Sequence, residues 1–252
     1  AATYMVERHR ITGRWRLGVG LALVTSLIWG SLPLALKVLV GTMDPITITW
    51  VRFLGAGALM AAVGRRGRRP ALRRAPLVYA LLLLATVGMC GNFAFYLMGL
   101  RLTTPSTAQL VTQLSPLFLM AGSLLLFGER FCPQQWLGVA ALLGGLGLYF
   151  GGRFGQHSDG METTMLGVLV LVASAASWAV YALGQKQLLR DFTPDFVLMF
   201  VYLVGSLLLL PGAQPLVLLS QSWPRLALLA ATGTALAGEA SAMQGRDLTA
   251  WM

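Results

Sequence analysis

Charged and aromatic residues recur at a fixed spacing inside apolar stretches of the chain, where polar groups are costly. Trp29, Lys37 and Pro45 are eight residues apart, and the same residue types return 149 residues later at Trp178, Lys186 and Pro194. A charged side chain at the centre of a bilayer costs about 3 kcal/mol or more, so such residues are functional candidates. The chemistry they offer is non-covalent recognition of a solute.

Two cations lie within the apolar stretches. Lys37 is near the end of the first stretch, so it either reaches the membrane surface, makes a structural contact or faces a substrate. Arg52 lies about two turns into the next stretch. Its planar fork suits a carboxylate, but it also suits backbone carbonyls. These alternatives stay open for each residue.

The remaining candidates are aromatic and amide side chains. Trp29 and Trp178 occupy equivalent positions about 12 residues into their helices, so they either line a central cavity or pack. Asn92, Tyr96 and Tyr181 offer hydrogen bonds to a substrate or to a neighbouring helix. Gln113 belongs to a polar group before a proline, which frees a carbonyl one turn earlier. The members of that group are Thr107, Thr112, Gln113, Ser115 and Pro116.

The sequence lacks the residue motifs that several classes of protein require. The sequence has no Ser/His/Asp set and no H-E-x-x-H motif, so we expect no enzymatic activity. It has no Walker A motif, so nothing in the sequence indicates transport driven by ATP hydrolysis. Cys90 and Cys132 lack metal-ligand spacing, so we expect neither a metal nor a cofactor.

The composition indicates a polytopic membrane protein. Of the 252 residues, 56% are apolar and only 11% are charged, and the mean hydropathy is +0.71. Several apolar runs reach about 20 residues, the length that spans a bilayer. The net charge of +10 lies mostly in short loops between these runs, so we expect membrane lipid rather than nucleic acid as its partner.

The apolar runs predict an all-α fold of seven or eight helices. We place them at about 17–40, 45–63, 77–100, 105–127, 133–151, 165–188 and 194–210, with an eighth from about 226. The domain organisation that follows is a cytoplasmic segment 1–16, a five-helix repeat 17–152, a linker 153–164 and a second repeat 165–252. After Ala237 the sequence turns polar, so we expect the second repeat to be incomplete, with about three of its five helices.

The loop charges predict the orientation. With the N-terminus inside, the inner loops hold fourteen Lys and Arg residues and the outer loops hold three. This asymmetry predicts a multi-pass protein of the inner membrane with a cytoplasmic N-terminus. Because each repeat has five helices, the second repeat enters the membrane upside down. Inverted repeats of this kind are common in secondary transporters.

Several motifs in order resemble the EamA domain of the drug/metabolite transporter superfamily. They are Trp29-Gly30 with Lys37, the stretch from Asp44 to Arg52, Ser115 to Phe118, and Gly128 to Arg130 before the glycine-rich fifth helix. The resemblance implies ten helices in two inverted repeats. It also implies secondary transport, often export, of amino acids, other metabolites or drugs.

The leading hypothesis is a permease that moves a small solute by alternating access. Its cavity would lie between the two repeats near the middle of the membrane. The alternative is a truncated membrane protein that does not transport and serves only as an interaction partner. The sequence does not specify the substrate, the coupling ion or the oligomeric state.

Overall fold

The structure is a computed structural model, and it describes residues 15–63, 76–128, 132–154 and 161–244. These residues form nine α-helices and two short 3₁₀ helices, and they contain no strand. The α-helices are α1 (Trp15–Val40), α2 (Pro45–Val63), α3 (Pro76–Leu102), α4 (Pro105–Thr112), α5 (Ser115–Phe127), α6 (Pro133–Phe154), α7 (Met161–Leu188), α8 (Pro194–Leu209) and α9 (Trp223–Gln244). The predicted all-α class is confirmed.

Proline and a capping side chain define several helix starts. Pro45, Pro105 and Pro194 begin α2, α4 and α8, where the missing N–H has no intrahelical partner to lose. Before α2, the Asp44 carboxylate accepts a hydrogen bond from the Ile46 N–H at 2.9 Å. These local signals explain why the predicted starts at 45, 105 and 194 agree with the structure.

Two helices reach into the segment predicted as a linker. Helix α6 continues to Phe154 and α7 begins at Met161, so both helices extend into the predicted linker 153–164. Helix ends are set by local capping and fray easily, so apolar content alone places them only to within a few residues. The division into two repeats at this point stays a prediction.

The single helix predicted at 105–127 is interrupted. Helix α4 ends at Thr112 and α5 begins at Ser115, with Gln113 and Leu114 between them. Pro116 has no N–H to bond the Thr112 carbonyl, and the backbone tightens into i→i+3 bonds from Gln113 to Leu110 and from Leu114 to Val111. The two helices still form one apolar stretch, Pro105–Leu126.

Five stretches of the described residues are long and apolar enough to cross a membrane. They are Pro45–Ala62, Pro76–Leu102, Pro105–Leu126, Thr164–Leu188 and Pro194–Gly212. A shorter apolar stretch, Trp29–Val40, belongs to α1. The chain is therefore a multi-pass membrane protein, and the total of seven or eight spans stays a prediction.

Helices α3 and α7 run antiparallel and form the most extensive contact among the described helices. Glycines permit it: a Cβ added at Gly88 would lie 2.8 Å from the Tyr181 nitrogen, and one at Gly99 would lie 3.0 Å from the Gly167 carbonyl oxygen. Small residues let the backbones approach because helices in lipid gain nothing from hiding apolar surface. This pair forms the centre of the bundle.

Two apolar clusters include opposite ends of this pair. One contains side chains of α2, α3, α7, α8 and α9, including Phe53 and Tyr202. The other joins α1, α2, α3, α4, α7 and α9 around Leu36 and Leu100. By contrast, much of α6 is exposed, including Leu137 and Leu148. A membrane protein presents such apolar surface to lipid.

Candidate functional site

Arg52 is the most deeply buried charged side chain that the structure describes, with no exposed surface. Its Nε donates a hydrogen bond to the Thr232 carbonyl of α9 at 3.4 Å. Its guanidinium carbon lies 5.0 Å from the centre of the Phe93 ring of α3. A guanidinium over an aromatic face is stabilised electrostatically. Arg52 therefore connects three helices from both predicted repeats.

One aromatic ring, that of Phe93, lies against this guanidinium, and further rings pack in turn on Phe93. The Phe93 ring meets the Phe53 ring edge to face with the centroids 5.3 Å apart, and Phe53 lies 5.2 Å from Tyr202. Tyr96 follows Phe93 by one turn of α3 and is half-buried against the same cluster as Val51. An arginine beside an aromatic ring can bind an anion that also carries an apolar body.

Helix α9 approaches α2 closely beside Arg52. A Cβ added at Gly233 would lie 3.5 Å from the Arg52 Cα, which is ordinary contact. The neighbouring Thr232 is buried, and its hydroxyl donates to the Leu229 carbonyl at 2.8 Å. The hydrogen bond from Arg52 to Thr232 therefore lies within a close contact between α2 and α9.

Asn92 bonds a neighbouring helix. Its Nδ2 donates to the Ser174 carbonyl at 3.0 Å and lies 3.1 Å from the Ser174 hydroxyl, which in turn donates to the Asn92 carbonyl at 2.9 Å. The amide is thus engaged within the α3–α7 contact. This geometry favours the structural alternative over a direct contact with substrate.

Lys37 also has backbone partners. Its ammonium donates to the carbonyls of Leu100, Arg101 and Thr103 at 2.6, 3.2 and 2.5 Å. These carbonyls lie at the C-terminal end of α3, where intrahelical donors run out and a cation is favourable. Lys37 therefore fixes the end of α1 to the corner between α3 and α4. This geometry favours the structural contact among the alternatives for Lys37.

The other predicted residues occupy different environments. Trp29 is 46% exposed, whereas the equivalent Trp178 is half-buried against the cluster that contains Phe53. Tyr181 is buried in that cluster, and Gln113 is exposed at the break between α4 and α5. The structure thus brings Arg52 and Tyr96 close to Phe93, but it does not gather all eight predicted residues into one site.

A lateral groove of about 460 Å³ lies between α3, α7 and α8. Its walls are mostly apolar, with Cys90 and Ser177 as their polar members, and none of the eight predicted residues lines it. No cluster of His, Cys, Asp or Glu suited to a metal ion is found in the part of the chain that the structure describes.

Comparison with known proteins decides the family. The sequence profile described as EamA-like transporter family matches residues 16–151 and 165–242. The chain belongs to the EamA-like transporter family. The two matched stretches begin 149 residues apart, the offset at which Trp29, Lys37 and Pro45 recur. The predicted resemblance to EamA proteins is confirmed.

Individual EamA-like relatives carry transport names. "Uncharacterized transporter" of Haemophilus influenzae is 33% identical over 79% of this chain and 65% of the relative. "Uncharacterized inner membrane transporter YhbE" of Escherichia coli K12 is 34% identical over 84% of this chain and 67% of the relative. "Aromatic amino acid exporter YddG" of Ancylobacter novellus is 31% identical over 65% of this chain and 56% of the relative. The chain thus spans about two thirds or less of these relatives.

A solved structure supports the fold of this EamA-like chain. The two chains superpose with a TM-score of 0.58 at 24% sequence identity, over 86% of this chain and 74% of the other. At this level of identity, the likeness concerns the fold alone.

The sequence analysis missed two residues beside Arg52. Phe93 is one of several aromatic residues in an apolar stretch, and nothing in its spacing distinguishes it. Thr232 contributes a backbone carbonyl, which any residue type possesses. Phe93 reaches Arg52 through the packing of α3 on α2, and Thr232 reaches it through the packing of α9 on α2.

Proposed function

We propose that this chain is the solute-binding part of a secondary transporter of the inner membrane, with a cytoplasmic N-terminus. It exports a small metabolite that carries a carboxylate and an apolar body, such as an amino acid. Transport proceeds by alternating access between the two repeats. The family membership and the transport names of its relatives support this reading.

The observation that carries the proposal is the burial of Arg52. A guanidinium within a membrane-spanning helix is costly, so such residues mark substrate or ion pathways. Arg52 meets Phe93 from the first repeat and Thr232 from the second. A carboxylate docked at its fork would therefore contact both repeats, which is what a substrate that controls their relative movement must do.

Among the other predicted residues, Tyr96 is the best placed to join this site. It lies one turn from Phe93 and is half-buried against the cluster next to Arg52. Trp29, Gln113, Trp178 and Tyr181 stay candidates for a wider cavity that forms as the repeats move. Lys37 and Asn92 act by holding helices together.

The proposal is tested by solute counterflow in proteoliposomes that contain the full chain. We expect exchange of labelled L-phenylalanine and no exchange of phenethylamine, which has the same ring but lacks the carboxylate. Arg52→Met should abolish the L-phenylalanine exchange because the anion partner is lost. Arg52→Lys should raise KM, since it keeps the charge but loses the bidentate fork.

The matched control is Arg225→Met, which removes an exposed arginine at the start of α9. It should leave exchange unchanged. Equal exchange of phenethylamine and L-phenylalanine, or full activity of Arg52→Met, would contradict the role of Arg52. No exchange by a correctly inserted wild-type chain across the proteinogenic amino acids would contradict the substrate class.

A further inference from the structure

The connection between α8 and α9 is apolar although it lies outside these two helices. It contains two short 3₁₀ helices, Leu210–Gly212 and Pro215–Ser220. No charged residue occurs from Phe196 to Pro224, whereas the connection after α2 is rich in arginine. Connections that face water are normally polar. The composition of this one therefore favours surroundings other than bulk water.

The connection is fixed to the start of α2. The Gln214 N–H donates a hydrogen bond to the Thr47 hydroxyl oxygen at 2.9 Å, and Thr47 has no exposed surface. A Cβ added at Gly212 would lie 3.3 Å from the Ile46 side chain. Because these contacts orient the connection on the bundle, the directions of its side chains are defined.

The second 3₁₀ helix has one packed side and one exposed side. A 3₁₀ helix has three residues per turn, so side chains three positions apart share a side. Leu216 and Leu219 share such a side, and they are 79% and 85% exposed. Val217 and Leu218 lie on the other sides and are half-buried against the apolar cluster around Leu36. The described part of the chain thus leaves the leucine side uncovered.

The uncovered side continues the surface that α8 presents to lipid. Leu207, Leu208 and Leu210 are exposed, and all three belong to the membrane-spanning stretch Pro194–Gly212. Beyond the 3₁₀ helix, Trp223 at the start of α9 is 79% exposed. Tryptophan is enriched where hydrocarbon meets headgroups, because its ring is apolar and its N–H is polar. Exposed apolar side chains therefore follow the chain from the span of α8 to the start of α9.

The second 3₁₀ helix is too short to cross the membrane. Its six residues extend about 12 Å at about 2 Å per residue, against about 30 Å of hydrocarbon. A short segment with one apolar side can instead lie in the plane of the membrane surface, with that side buried about 5–10 Å into the boundary between headgroups and acyl chains.

We propose that residues 213–223 form an interfacial segment, which lies along the membrane surface and inserts Leu216, Leu219 and Trp223 into the adjoining leaflet. Its partner is lipid, which it contacts through apolar side chains rather than through charge. The other sides of the segment stay on the bundle, so the segment ties the start of α2 to the leaflet. This lipid contact does not depend on the proposed transport function.

Spin labels test the position of this segment in the full chain, with Cys90 and Cys132 replaced by alanine. Single labels at Leu216→Cys and Leu219→Cys are measured by power saturation in phosphatidylcholine liposomes. The two relaxation reagents are oxygen, which partitions into hydrocarbon, and a water-soluble nickel chelate. We expect both labels to collide several times more often with oxygen than with the chelate. Each variant serves if the other does not fold.

Two control labels frame the expected result. Leu207→Cys, in the span of α8, should show the same preference for oxygen. Ser220→Cys is exposed on a neighbouring side of the same 3₁₀ helix and should favour the chelate.

Two results would overturn the proposal. Labels at Leu216 and Leu219 that collide mainly with the nickel chelate would place the segment in water. Labels shielded from both reagents would show that protein, such as a second copy of the chain, covers the leucine side instead of lipid.

Discussion

At the scale of single residues, the polar groups inside the apolar helices divide into two sets. Lys37 and Asn92 have backbone or side-chain partners on α3 and α7 that account for their polarity. Arg52 meets an aromatic ring and one carbonyl at the junction of three helices. A buried polar side chain in these helices is thus first a contact between helices.

The Asn92–Ser174 contact can be measured by a double-mutant cycle. Asn92→Leu and Ser174→Ala should each lower the free energy of unfolding. We expect their coupling energy to be about 0.6 kcal/mol, and at most about 1.7 kcal/mol, the range of hydrogen bonds within membranes. The cycle is read from unfolding in mixed detergent micelles.

Thr112→Ala is the control for that cycle. Its hydroxyl lies in α4 and donates to the Gln109 carbonyl of its own helix, so it should not couple to Asn92→Leu. Additive effects of Asn92→Leu and Ser174→Ala would show that the bonds across α3 and α7 contribute nothing to stability.

At the scale of helices, the α3–α7 contact depends on positions that tolerate no side chain. Gly88 faces the backbone of Ser177 and Tyr181, which cannot rotate away as a side chain does. The glycines of α6 differ, because a Cβ at Gly138 would meet no atom within 4 Å. The same residue type therefore has a packing role in one helix and none within the described structure in another.

Replacement of these two glycines tests the difference. Gly88→Ala should lower the free energy of unfolding by about 1–3 kcal/mol, since overpacking forces the two backbones apart. Gly138→Ala should leave it unchanged or raise it by up to about 1 kcal/mol through helix propensity. Thermal unfolding in detergent measures both, and equal behaviour of the two variants would contradict the close contact of α3 with α7.

The break between α4 and α5 is a second feature at this scale. Its cause is local, because Pro116 has no N–H to donate to the preceding turn. The sequence analysis noted that the proline frees a carbonyl but predicted one helix. Interrupted helices in transporters expose backbone groups near the middle of the membrane, which makes Gln113 a candidate for the wider cavity.

At the scale of the whole molecule, the distribution of basic residues predicts the orientation. Alkaline phosphatase fused after residue 158 should be active, because that loop is predicted outside, whereas a fusion after residue 69 should be inactive. Green fluorescent protein at the same two positions should give the opposite result. If both alkaline phosphatase fusions were active, or both inactive, the two loops would lie on the same side of the membrane. That result would contradict the inverted arrangement of the two repeats.

The sequence by itself determined the class of the molecule. Apolar runs bounded by proline and loop charges predicted the helices, and the 149-residue recurrence and ordered motifs predicted the EamA family that the comparison shows. These properties depend on neighbouring residues or on repetition along the chain, so they can be inferred without the tertiary structure. Helix starts at Pro45 and Pro194 followed from the same reasoning.

Tertiary structure alone decided which polar side chains meet. The sequence places Lys37 and Arg52 within apolar stretches, but one holds the end of α3 and the other lies over Phe93. Membrane helices are apolar on most sides, because lipid and neighbouring helices are equally apolar surroundings. Their sequences therefore carry little information about which side faces which neighbour, and the packing of α9 on α2 was needed to reveal the site.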